Sequence, residues 1–202
     1  EAKGHPRGDG VSFLVEALDS SPGEVTLVAT GPLTNLALAN RKRPGILARA
    51  KEVIVMGGAI GAPGNVTPTA EFNFYVDPHA AQEVIASAAS VSLVTLDTTR
   101  QVALREDVIR DRISPIGTGK AEFVEMATRT AIDFGKRLTG ESGIYLHDPL
   151  AVGLALASSF FGLAPLFVDV ETEGGLTRGQ LVTDMRPFRD EVSREGHRVE
   201  CV

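Results

Sequence analysis

Three short, predominantly apolar runs separated by helix-patterned segments constrain this chain most. Residues 25–29, 53–56 and 91–96 are rich in Val, Leu and Ile, with only Thr26, Ser92 and Thr95 polar and no sustained alternation. Such runs fit strands buried on both faces, as in a parallel sheet sandwiched by helices. Val11, Leu14, Val15 and Leu18 recur at helical spacing before the first run. A helix over 33–40 follows it, with Pro32 in its first turn. Asp77-Pro78 reads as an N-cap and first helical residue for a helix over 80–86. Further helices are expected at 106–112, 120–138 and 147–157, and further strands at 166–170 and 180–184. The pattern predicts an α/β fold: a mostly parallel open sheet with helices on both faces, in a single domain over 1–202.

Composition excludes several function classes. The 202 residues are 43% hydrophobic and 23% charged, ordinary for a globular protein. A net charge of -6 argues against a nucleic-acid partner. No apolar run is long enough to span a bilayer, so no membrane partner is expected. The lone cysteine, Cys201, cannot form an internal disulfide, which fits a reducing, cytoplasmic setting. The chain carries no phosphate-binding GxxxxGK[ST], no CxxC pair, no GxSxG and no dinucleotide fingerprint.

In parallel sheets, ligands sit at the carboxyl ends of the strands. Three segments fall there: Thr30-Gly31-Pro32, the loop after Met56, and Asp97 with Thr98-Thr99. The loop after Met56 is the richest. Gly57, Gly58, Gly61, Gly64 and Pro68 oppose regular structure, and Asn65, Glu71 and Asn73 offer donors and acceptors suited to a sugar. The same residues also suit an ordinary turn. Thr30 ends a strand, where a main-chain carbonyl can bind a hard cation or simply begin a turn. Asp97 and the threonine pair read first as turn and cap chemistry.

His147-Asp148-Pro149 opens an apolar helix, and Asp-Pro alone means only capping, as at Asp77-Pro78. Beside it, His147 is an imidazole able to donate a proton near neutral pH, reached through a Gly-rich approach over 139–143 and Tyr145. His79 reads as a surface residue; His5 and His197 suggest no role. Glu171 and Glu173 with Gly174-Gly175 read as a solvated loop.

Val28-Ala29-Thr30-Gly31-Pro32-Leu33-Thr34-Asn35, Val55-Met56-Gly57-Gly58, Gly64-Asn65 through Ala70-Glu71-Phe72-Asn73, Asp77-Pro78 and His147-Asp148-Pro149 occur in that order. In this order the motifs resemble the nucleoside hydrolases, specifically the inosine–uridine-preferring N-ribohydrolases, over nearly the whole chain. The resemblance implies an N-glycosidase of nucleoside salvage that releases ribose and a free base with the help of bound calcium. It implies Asp148 as a calcium ligand through its carboxylate and Thr30 through its main-chain oxygen. Asn65, Glu71 and Asn73 would bind the ribose hydroxyls, Met56 would line the sugar pocket, and His147 would assist departure of the base. It also implies a homo-oligomer, dimer or tetramer. The base preferred is not implied.

One departure qualifies the expectation. The family's opening motif, Asp-x-Asp-Pro-Gly-x-Asp-Asp, is absent, and it carries most calcium ligands and the catalytic base. One carboxylate and one carbonyl fall short of the ~6–8 oxygens calcium takes. The chain is therefore expected to be an N-terminally incomplete hydrolase with little activity of its own. Two alternatives stay open: a noncatalytic ribose- or nucleoside-binding protein of the same fold, and a hydrolase of another N-riboside.

Overall fold

The computed structural model describes residues 9–140, 142–186 and 196–202. His5 and part of the approach over 139–143 lie outside them. The chain divides into two compact units: Glu1–Asp97 with Asp148–Val202, and Thr98–His147.

The larger unit is built on a six-stranded sheet. Its strands are β1 (Thr26–Ala29), β2 (Glu52–Met56), β3 (Val91–Val94), β6 (Ala164–Val170), β7 (Leu181–Thr183) and β8 (His197–Cys201). Their spatial order is β1-β2-β3-β8-β6-β7. The first four run parallel, and β6 pairs antiparallel with both β8 and β7. The sheet is thus mostly parallel at the β1 end and closed by an antiparallel pair at the other.

Helices cover it: α1 (Gly10–Ser20), α2 (Thr34–Lys42), α3 (Phe72–Val76), α4 (Pro78–Ser87), α5 (Leu96–Thr99) and, later in the chain, α8 (His147–Leu156). Alternation along β2 sorts the two faces. Val53 and Val55 pack with Leu18 of α1, Leu36 of α2 and Val84 of α4. Ile54 and Met56 pack with Val94 and with Ala151 and Leu154 of α8. β2 and β3 are buried throughout apart from Glu52, whereas edge strand β1 is half-buried at every position. Each fully buried Val, Ile or Leu here contributes roughly 1.5–3 kcal/mol.

Caps set the helix starts. Asp9 accepts from Ser12 N at 2.8 Å to begin α1. Asp77 accepts from Ala80 N at 3.1 Å to begin α4, and from Thr34 Oγ1 at 2.7 Å, which ties α4 to α2. Asp77-Pro78 is therefore structural, as its sequence suggests. Pro32 does not enter α2, whose N-cap is Leu33. Leu96 belongs to α5 rather than to β3.

The smaller unit holds β4 (Ala103–Arg105) paired antiparallel with β5 (Gly143–Tyr145). Between them run α6 (Glu106–Val108), a wide π turn at Ile109–Ile113, a 3-10 turn at Ser114–Ile116 and the long α7 (Gly119–Thr139). The helix expected at 106–112 is thus a mixed turn, and the two three-residue strands were not foreseen.

Candidate active site

The carboxyl ends of β1, β2 and β3 release the chain at Thr30, Gly57 and Thr95. The parallel register aligns Ala29 with Val55 and Met56 with Val94, so the exits share one edge of the sheet. The segment leaving β2 folds back through a tight loop. Gly64 N donates to Pro68 O at 3.0 Å, and Asn65 N to Ala70 O at 3.1 Å. A side chain on Gly64 would run into the backbone of Thr67 and Ala70.

Residues expected to be a loop then form the short helix α3. Glu71 is its N-cap: Oε1 accepts from Asn73 N at 2.9 Å, and Oε2 from Phe74 N and Gly58 N, both at 3.2 Å. Asn73 Nδ2 donates to Met56 O at 3.0 Å. Asn65 Oδ1 accepts from Phe72 N at 2.8 Å. Glu71, Asn73 and Met56 are buried, with Asn73 bonded to both of the others, and Asn65 is exposed. These bonds serve the fold, yet they also fix the direction of each amide.

Glu71 is 2% exposed, and burial pushes its carboxyl above the ordinary 4.5. The three backbone N–H groups oppose that shift, and the nearby Asp148 carboxylate adds to it. Asp148 thus lies within electrostatic reach of Glu71, on the first turn of α8, with its own side chain at the surface. Thr30 stands exposed at the neighbouring strand exit. Among the described residues, no group of three or more His, Cys, Asp or Glu side chains is placed to hold a metal ion. Asp148 and the Thr30 carbonyl do not complete a calcium shell of ~6–8 oxygens.

Two supports escaped the sequence. Asp97, read as a turn residue, grips the loop beyond β2. Its carboxylate accepts from Ile60 N at 2.8 Å, Gly61 N at 2.8 Å and Ala62 N at 2.7 Å. Burial pushes Asp97 up, but these N–H groups together bring it below the ordinary 3.8. Its position directly after β3 was the available signal. Arg178 reaches from the segment before β7 to the far end of α3. Its Nη1 donates to Tyr75 O at 2.8 Å, and the guanidinium lies 5.3 Å from the Tyr75 ring centre. No local pattern marks that long-range pairing.

In the smaller unit, His147 Nδ1 lies 2.7 Å from Thr99 Oγ1, and the Tyr145 ring stands 6.1 Å from the imidazole. His79 is exposed, as expected. Glu171 accepts from Glu173 N at 2.8 Å and Gly174 N at 3.0 Å within the expected loop.

The family model for inosine-uridine preferring nucleoside hydrolase matches residues 2–201. The chain belongs to that nucleoside hydrolase family. Relatives include the pyrimidine-specific ribonucleoside hydrolase RihA of Salmonella arizonae, 39% identical over 177 residues, covering 86% of this chain and 56% of RihA. The probable uridine nucleosidase 1 of Oryza sativa is 38% identical over 168 residues, covering 82% of this chain and 51% of its own length. Among solved structures, a plant nucleoside hydrolase, PpNRh1, superposes with a TM-score of 0.89 at 27% identity, covering all of this chain and 64% of its own. A purine-preferring ribonucleoside hydrolase from Gardnerella vaginalis gives 0.87 at 28% identity, covering all of this chain and 62% of its own. The chain thus spans just over half the length of these curated relatives. The α/β architecture is that of the nucleoside hydrolases, a family that binds a metal ion.

Proposed function

We propose that this nucleoside hydrolase chain forms the sugar-gripping part of an enzyme that hydrolyses the N-glycosidic bond of ribonucleosides. The observation that carries the proposal is the convergence of Met56, Glu71 and Asn73 at one strand exit, with Asp148 within electrostatic reach. Internal bonds orient the amides so that Asn65 Nδ2 and Asn73 Oδ1 remain for ribose hydroxyls. Met56 lines the sugar side of the pocket.

The chemistry suits these groups. Breaking the bond builds positive charge on the ribose, which neighbouring carboxylates stabilise. The bond's electron pair stays on the base, and the Nε2 proton of a protonated His147 neutralises it, leaving the neutral imidazole. Water adds its hydroxyl to the anomeric carbon, and its proton returns to Nε2 to restore the imidazolium. Calcium is the cation proposed, with Asp148 and the Thr30 carbonyl among its ligands. The described residues do not complete its shell. The lone buried Cys201 and the family resemblance extend the proposal to a cytoplasmic, homo-oligomeric enzyme of nucleoside salvage. Light scattering tests the assembly.

The experiment is release of reducing sugar from uridine and inosine with calcium present. Slow turnover that Glu71→Ala abolishes is expected. Absence of both turnover and nucleoside binding refutes the proposal. The same oriented amides would also serve a second possibility, a noncatalytic nucleoside-binding protein. Binding without base release selects it.

A further inference from the structure

The contact between His147 and Thr99 is built by the backbone of the smaller unit. Leu146 N donates to Val102 O at 2.9 Å, continuing the ladder in which Ala103 pairs with Tyr145. Val102 N in turn donates to Thr99 O at 3.2 Å. This chain of bonds brings the end of α5 against the residue that follows β5. Thr99 is 0% exposed, whereas His147 is only part-buried. A buried, β-branched threonine has few rotamers, so its hydroxyl is a fixed point rather than a roaming surface group.

We propose that Thr99 is the positioning residue for His147. Its hydroxyl engages Nδ1 at 2.7 Å and sets the plane of the ring. The two ring nitrogens are then unequal: Nδ1 is engaged by Thr99, and Nε2 is the nitrogen that the ribohydrolase proposal assigns to the departing base. A bond at one imidazole nitrogen fixes the tautomer at the other. In this assignment the buried hydroxyl accepts from Nδ1–H, so the neutral ring left once Nε2 has given up its proton carries its hydrogen on Nδ1. Thr99 touches neither sugar nor base; it acts through His147. This inference rests on the ribohydrolase proposal, in which His147 serves the leaving base.

The test uses the protein, Thr99→Val, which keeps the side-chain shape and removes the hydroxyl, and Thr99→Ser, which restores it. Long-range nitrogen–proton NMR at one fixed pH reads the neutral tautomer of His147. Hydrolysis is followed with uridine and with 4-nitrophenyl riboside, whose phenolate leaves without a proton. The wild type is expected to hold the hydrogen on Nδ1, Thr99→Val to move it toward Nε2, and Thr99→Ser to return it. With uridine, kcat falls roughly 10–100-fold in Thr99→Val, within the span of a general-acid contribution, while the aryl riboside falls less than about threefold. A wild-type ring with its hydrogen on Nε2 overturns the inference without any variant. So does a tautomer unchanged in Thr99→Val, or an equal loss on both substrates. If the wild type turns over neither substrate, the ribohydrolase proposal fails while the tautomer still decides the role of Thr99.

Discussion

Replacing Asp97 by asparagine isolates what its carboxylate does for the loop beyond β2. In the native protein one oxygen accepts from Gly61 and Ala62 at 2.8 and 2.7 Å, and the other from Ile60 at 2.8 Å. The asparagine carbonyl can keep the first two bonds. Its NH2 then faces the Ile60 N–H, donor against donor. One charge-assisted bond, worth ~1.5–3 kcal/mol, is lost, and the other two weaken toward neutral strength. Partial exposure and relief from burying a charge offset some of this, leaving a net loss of about 2–4 kcal/mol. For a chain of this size that lowers Tm by roughly 5–15 °C. Urea unfolding measures it. Because the folded pKa lies below the ordinary 3.8, the stabilisation is present above that value. It vanishes as pH falls through the lower, folded one, so wild type and Asp97→Asn converge in acid. Equal stability at neutral pH, or a gap that persists in acid, would refute the assignment.

Gly58 sits at φ +78°, and a Cβ there would stand 2.8 Å from Leu181 Cδ2. Gly58→Ala should cost about 2–3 kcal/mol in denaturant unfolding and disturb the N–H donated to Glu71; a neutral result would contradict the close approach. Arg178→Ala should lose about 1–2 kcal/mol and speed amide exchange in α3, whose Tyr75 carbonyl it caps; unchanged exchange would show that the contact carries no weight. The Cys201 thiol is buried and pushed up to about 12, mainly by desolvation, with Glu200 and Asp97 adding repulsion. Under native conditions at pH 8, iodoacetamide should leave it unmodified by mass spectrometry, and rapid labelling would overturn that.

The sheet was legible because its central strands are short, mostly apolar and β-branched runs, and α4 because Asp77-Pro78 is a strong start signal. The short pieces were not. α3 follows a Gly- and Pro-marked loop, and its cap is a glutamate, an uncommon choice that the sequence offered first as a ligand. β4 and β5 have three residues each, too few for periodicity to speak. β8 mixes His197, Arg198 and Glu200 with the buried Val199 and Cys201, and its partners β3 and β6 are remote in sequence. At the site, the turn and ligand alternatives for Asn65 and Glu71 are not exclusive. The bonds that make them structural also aim them. Asp97 and Thr99 were seen but credited only with capping, since a single sequence does not reveal which loop or ring a side chain will meet.

The central claim is that the Asn65, Glu71 and Asn73 cluster recognises a pentose diol. Titration of the protein with uridine and with 2′-deoxyuridine, observed at the side-chain amides of Asn65 and Asn73, tests it most directly. Uridine should shift both amides, and removal of the 2′-hydroxyl should weaken the response about tenfold, the equivalent of one good hydrogen bond to a polar site. Equal responses to the two nucleosides, or none at either amide, would contradict it.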